Sequence, residues 1–146
     1  MAKIEEILKE WDEDCIIDDN HISNESVKVP QLHSKYVRYL INTKLKLTKY
    51  ENDFNILKKT KFRYYRGELS REELVSNNWD QWQGTKPMKN EMDQFLEGDS
   101  DLNILKTRIE YLNTAIYLLE SILKQISARD WQLKNMLEHK KFLAGN

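Results

Sequence analysis

The chain has 146 residues, 32% of them charged, with a formal net charge of −1. That length fits one domain with a modest core, and a mean hydropathy of −0.76 favours long exposed helices or an oligomer. Four Gly and two Pro argue against a turn-rich β fold, and a single Cys excludes an internal disulfide framework or a Cys-based zinc finger.

Near neutrality conceals a segregation of charge. Residues 1–27 carry −7, residues 28–66 carry +9, residues 67–105 carry −6 and residues 106–146 carry +3. Such blocks let one surface meet a polyanion while another meets protein, although plain solubility explains the acidic ones equally well. The chain is charged from Lys3 onward and has no apolar run of about 18 residues, so neither a signal peptide nor a membrane span is expected and the cytoplasm is the expected location.

The expected fold class is all-α, as a single helical domain over 1–146. Within it, 1–27 is an acidic N-terminal helix and connection, 28–66 a basic helix, 67–101 an acidic loop with a short helix, and 102–146 a long C-terminal helix. Ile4, Ile7, Leu8 and Trp11 recur at helical spacing. Asp12, Asp14, Asp18 and Asp19 lack the spacing and the Gly of a calcium loop, so no metal is expected. Residues 18–27 read as a polar connection. The second helix is expected to start near Pro30, because proline is accepted in a first turn. Tyr36, Leu40, Thr43, Leu47, Tyr50, Phe54 and Leu57 form a heptad-like seam along it, with most lysines off the seam, and Gly67 stops it.

Residues 67–87 are the least regular. Trp79 and Trp82 there read as loop anchors, stacking platforms or partner contacts, with anchoring favoured. Residues 88–97 suit a short helix, and Asp99 or Ser100 caps the next one. From Leu102 to Leu137 apolar residues recur every three or four positions, interrupted at Asp130, with a second apolar face at Tyr111, Ala115, Tyr117, Leu118 and Ile122. About 43 residues of helix at ~1.5 Å each would exceed ~60 Å, which suits a hairpin of two long helices or a subunit interface.

The sharpest stretch is Lys58-Lys59-Thr60-Lys61-Phe62-Arg63-Tyr64-Tyr65-Arg66, with five cations and three aromatic rings. Cations suit phosphates and flat rings suit unstacked bases, the combination a single-strand binder needs. A solvated helix face with its rings packed inward explains the same composition. No phosphate-binding glycine loop is present, and His21, His33 and His139 are scattered. No nucleophile–base pair can be read, so neither an enzyme nor a cofactor is expected.

At Lys59-Thr60-Lys61-Phe62-Arg63-Tyr64-Tyr65-Arg66-Gly67 the chain resembles the UvsY-type recombination mediators of T4-like bacteriophages, in which a Lys-x-Arg/Lys pair precedes Tyr-Tyr and Gly. The resemblance covers nearly the whole chain. It includes Ile16-Ile17-Asp18, Leu32-His33-Ser34-Lys35-Tyr36, Glu91-Met92 with the acidic turn at 98–101, and the ending Phe142-Leu143-Ala144-Gly145-Asn146. Each motif is weak alone; their order and spacing carry the match. Two departures stand out: Lys61 where an Arg occurs, which removes a bidentate fork, and Asn146 in place of a terminal Lys.

The resemblance implies a recombination mediator that binds single-stranded DNA coated by the phage single-strand-binding protein and helps load a RecA-like phage recombinase onto it. It implies a ring-like homo-oligomer, hexamer- or heptamer-like, acting in the cytoplasm of the infected bacterial host. The family's DNA-binding pair carries over onto Lys59 and Lys61. Self-association carries over onto about residues 125–146.

On this reading Lys58, Lys59, Lys61, Arg63 and Arg66 contact phosphates and Tyr64 or Tyr65 stacks on bases. Trp131, Leu133, Met136, Leu137, Phe142 and Leu143 close the oligomer, and the acidic blocks are candidate protein contacts. Two competing readings remain open. One is a non-catalytic helical adaptor or phage assembly protein without DNA binding, the other an RNA-binding protein.

Overall fold

The computed structural model describes residues 3–145, which hold six helices and no strand: α1 Ile4–Asp14, α2 Ile22–Tyr65, α3 Arg71–Asn77, α4 Met92–Glu97, α5 Ser100–Ser127 and α6 Arg129–Leu143. The fold is all-α, as the heptad spacing predicts. Asn146, the departure at the chain's end, lies outside the described residues. No described helix is long and apolar enough to cross a membrane. Two compact units result, one up to Lys46 together with residues from Leu112, the other Leu47–Tyr111; α2 and α5 contribute to both.

The first unit is organised on Ile7, Tyr36, Leu119, Ile122 and Ile126, all at most 2% exposed, with Trp11, Leu32 and Leu40 packed around them. Polar groups at its edge are paired. Asp14 Oδ2 accepts from the Tyr36 hydroxyl at 2.7 Å and from Lys35 Nζ at 2.6 Å. Burial and that hydrogen bond push the Tyr36 hydroxyl well above its ordinary pKa. Helix α1 carries no basic residue in its last turn. Arg129 supplies the missing cation from the start of α6, donating to the carbonyls of Asp14 at 3.2 Å and Cys15 at 2.8 Å. Carbonyls at a helix C-terminus lack intrahelical partners and draw positive charge, which explains why this arginine is buried.

Helix α2 begins at Ile22, eight residues before the expected start at Pro30. An Asp18 turn leads into it: Asp18 Oδ1 accepts from Asn20 N–H at 3.0 Å and the Asp18 carbonyl from His21 N–H at 3.1 Å. Pro30 therefore sits inside the helix, where it costs about 3 kcal/mol relative to alanine. Packing of Val29 and Leu32 against the core offsets that cost. All seven seam residues from Tyr36 to Leu57 are buried or half-buried. Thr43 is tolerated at 1% exposure because its hydroxyl donates to the Tyr39 carbonyl at 2.7 Å. The C-terminal helix is divided at Ala128, two residues before Asp130.

The second unit centres on Tyr65, Met92, Leu96 and Leu102, with Phe54, Leu57, Trp82 and Phe95 against them. Part of the stretch read as irregular is α3. Ser70 Oγ accepts from Glu73 N–H at 3.2 Å while Glu73 Oε1 accepts from Ser70 N–H at 3.3 Å, a reciprocal cap. Trp82 packs so closely over Gly84 that a Cβ there would lie 2.4 Å from its ring.

Candidate nucleic-acid interface

The end of α2 sends its charged residues in two directions. An α-helix advances about 100° per residue, so residues two apart point to nearly opposite sides. Lys59 and Lys61 obey that geometry. Lys58 and Lys59 are exposed and make no ion pair among the described residues. Lys61 is 5% exposed. Its Nζ lies 3.1 Å from Asp99 Oδ2 and 2.8 Å from Asp101 Oδ2, and 4.0 Å from the centroid of the Trp79 ring. A lysine paired with two carboxylates and capped by an indole satisfies its charge inside the protein.

Asp99 is the hub of this arrangement. Its Oδ1 accepts from Leu102 N–H at 3.0 Å, which caps the start of α5, and its Oδ2 accepts from the Tyr65 hydroxyl at 2.6 Å. Of the two cap candidates read from the sequence, Asp99 makes this bond. Burial alone would raise the Asp99 pKa; the bonds from Tyr65, Leu102 and Lys61 outweigh it and hold the carboxyl below its ordinary value. The Tyr65 hydroxyl is pushed above its ordinary value by burial and by its bond to Asp99.

The tyrosines expected to stack on bases are turned inward. Tyr65 is 8% exposed and meets Trp82 at 4.9 Å and Phe95 at 5.6 Å between centroids. Tyr64 lies 5.3 Å from both Tyr65 and Trp79, and its hydroxyl donates to the Asp80 carbonyl at 2.6 Å. The favoured anchoring role of Trp79 and Trp82 agrees with these contacts. Arg63 forms a fork on Glu73, with contacts of 2.8 and 3.0 Å. The Arg63 bond, with the Ser70 N–H, holds Glu73 below the usual carboxylate range. Arg66 Nε meets Glu68 Oε1 at 2.9 Å, an exposed contact.

The outward side of the same turns holds a ring absent from the expected site. Phe62 is 39% exposed and lies three residues after Lys59 and four before Arg66, so the three share one helix face. The Arg66 guanidinium carbon is 5.6 Å from the Phe62 centroid. Phe62 and Arg66 also line an open cleft of about 670 Å³ with Gly67, Glu68, Lys86, Pro87, Lys89 and Met92. Helical spacing in the sequence exposes the Lys59–Phe62–Arg66 face; nothing in it brings Lys86 and Lys89 there. No group of three or more metal-ligating side chains occurs among the described residues.

The residues assigned to self-association divide similarly. Leu133 is 4% exposed and belongs to the chain's own core, and Met136 is half-buried. Trp131, Phe142 and Leu143 are between 69% and 75% exposed, and Leu137 is 43% exposed.

Residues 10–146 match the profile of the family described as "Recombination, repair and ssDNA binding protein UvsY". The chain belongs to the UvsY family. It is 22% identical to the recombination protein uvsY of Enterobacteria phage T4 over 143 residues, 98% of each chain. Two crystal forms of the bacteriophage T4 recombination mediator protein UvsY share its fold. One superposes with a TM-score of 0.84 at 21% identity, covering 99% of both chains. The other gives 0.80 at 20% identity, covering 97% of this chain and 98% of the T4 chain. The UvsY family resemblance read from the motifs is thereby established, and with it a role in recombination, repair and single-stranded DNA binding.

Proposed function

We propose that the chain is a recombination mediator that binds single-stranded DNA through the outward face of α2 and promotes loading of a RecA-like recombinase onto DNA coated by single-strand-binding protein. The observation that carries this is the exposed Lys59, without an ion-pair partner among the described residues, beside the exposed Phe62 and Arg66, on a member of a single-stranded DNA-binding family. Lys58, Lys59 and Arg66 contact phosphates. Phe62 supplies the stacking surface, because Tyr64 and Tyr65 are engaged in the protein core. Lys61 and Arg63 act as supports that fix the end of α2 against Asp99, Asp101 and Glu73.

Repetition strengthens a weak site. The exposed Trp131, Leu137, Phe142 and Leu143 are suited to contact a second copy, and a ring would align several α2 faces on one strand. Tethered sites gain by effective concentration. Wrapping the strand would loosen the coating protein and expose DNA to recombinase, in the cytoplasm of the infected host.

The test is binding to labelled oligo(dT) and to the matching duplex, titrated with NaCl, followed by recombinase loading on coated single strands. Salt-sensitive binding that prefers the single strand, with faster loading, is expected. Absence of binding at low salt would favour the helical adaptor, and a preference for RNA over DNA would favour the RNA-binding reading. Trp131→Ser with Phe142→Ser is expected to lower the mass in solution; an unchanged mass would remove α6 from the interface.

A further inference from the structure

We infer that the cleft beside the last turn of α2 is a nucleotide subsite, in which Arg66, Lys86 and Lys89 hold a backbone phosphate and Phe62 receives the adjoining base. The inference rests on the single-strand reading above and extends it to residues 86–89, which carry no expected part in DNA binding.

Three observations converge. First, the charge is concentrated: Arg66, Lys86 and Lys89 line the cleft against one acid, Glu68. Lys86 and Lys89 are exposed and have no ion-pair partner among the described residues. Second, the backbone permits the approach. Gly67 has φ +72°, and the Lys86 side chain lies over it, its Cε 3.4 Å and its Nζ 3.7 Å from where a Cβ would stand. Glycine is the residue that adopts this conformation without strain and leaves that space, so the lysine reaches the residue next to Arg66. Third, an aromatic surface adjoins the cations. Phe62 keeps 39% of its area in solvent and has the Arg66 guanidinium beside it.

A cationic pocket alone would suit any phosphate. An exposed ring at its edge selects a phosphate attached to an unstacked base, which a duplex does not offer. Continuity selects a strand over a free nucleotide. Lys59 lies two turns before Arg66 on the same face, about 10 Å away along the axis, and can take a neighbouring phosphate. Glu68 is the intramolecular competitor: it holds Arg66 until a phosphate replaces it.

The experiment compares the full chain with Lys86→Ala/Lys89→Ala and with Phe62→Ala on oligo(dT) and on an abasic oligonucleotide of equal length, across a NaCl titration. The lysine pair should lower the salt slope by up to about 0.7 on both ligands, the value of one phosphate contact on a single strand, with unchanged helix content. Phe62→Ala should weaken oligo(dT) binding roughly 5- to 150-fold and leave the abasic strand nearly unaffected. An unchanged slope in the lysine variant, while the parent binds oligo(dT), overturns the subsite and leaves the single-strand reading intact. Equal weakening of both ligands by Phe62→Ala removes the base from it. Failure of the parent to bind at low salt overturns both readings.

Discussion

Lys59 and Lys61 are two residues apart and have opposite situations. Lys59 stands in solvent without an ion-pair partner among the described residues, whereas Lys61 is enclosed by Asp99, Asp101 and the Trp79 ring. The same division runs through the aromatic residues: Phe62 faces outward, while Tyr64 and Tyr65 face inward. A motif that looks like one basic-aromatic unit is thus two surfaces of a helix, one available to DNA and one holding the second unit together. The sum of charges in a segment says little about the charge a ligand meets. Of five cations in 58–66, three are matched by Asp99 with Asp101, by Glu73 and by Glu68.

The largest effect that can break this contrast is on Lys61. Lys61→Ala strands Asp99 with part of its pairing gone, and loss of one partner of a buried pair costs about 3 kcal/mol or more. A urea unfolding midpoint should drop accordingly. A variant as stable as the parent would mean that Lys61 carries no structural load.

Acid sharpens the same point. Asp99 titrates below its ordinary value in the fold, so its contribution is present above the unfolded carboxylate pKa of about 4 and is lost as pH falls through the folded one. Stability measured from pH 7 down should therefore fall most below about pH 4. Asp99→Asn should be weaker at pH 7 and less pH-dependent below it. Asp14, also held low by Lys35 and Tyr36 against the cost of its burial, keeps part of the dependence in that variant.

On the outward side, effects appear in binding instead. Lys59→Ala should reduce the salt slope for oligo(dT) by about 0.7 with no change in the unfolding midpoint. The smallest effect is expected from Glu68→Gln, which frees Arg66 from an exposed contact and should tighten DNA binding roughly two-fold. Weaker binding by that variant would mean that Glu68 positions Arg66 rather than competing for it.

Much of the fold is legible in the sequence because helical periodicity is a local signal. The seam from Tyr36 to Leu57 turns inward as spaced, and Asp99 caps α5. The start of α2 is not where Pro30 suggests, since packing of neighbours such as Val29 and Leu32 carries the helix through a residue that local rules place at its beginning. Helix α3 falls in the stretch read as least regular, although Ser70-Arg71-Glu72-Glu73, whose serine and third following residue form the cap, carries a helix-start signal. The site was legible only in part. That Lys59 and Lys61 diverge follows from helix geometry, and so does the shared face of Lys59, Phe62 and Arg66. The pairing of Lys61 with residues about 40 positions away, and the arrival of Lys86 beside Gly67, depend on tertiary packing that no local pattern encodes.

The most direct test measures Lys59→Ala and Lys61→Ala side by side, each for urea stability and for the salt slope of oligo(dT) binding. A crossed result is expected: Lys59→Ala lowers the slope and keeps the midpoint, and Lys61→Ala lowers the midpoint and keeps the slope wherever it remains folded. A lower slope with full stability in Lys61→Ala would contradict it, placing Lys61 on the DNA rather than in the core.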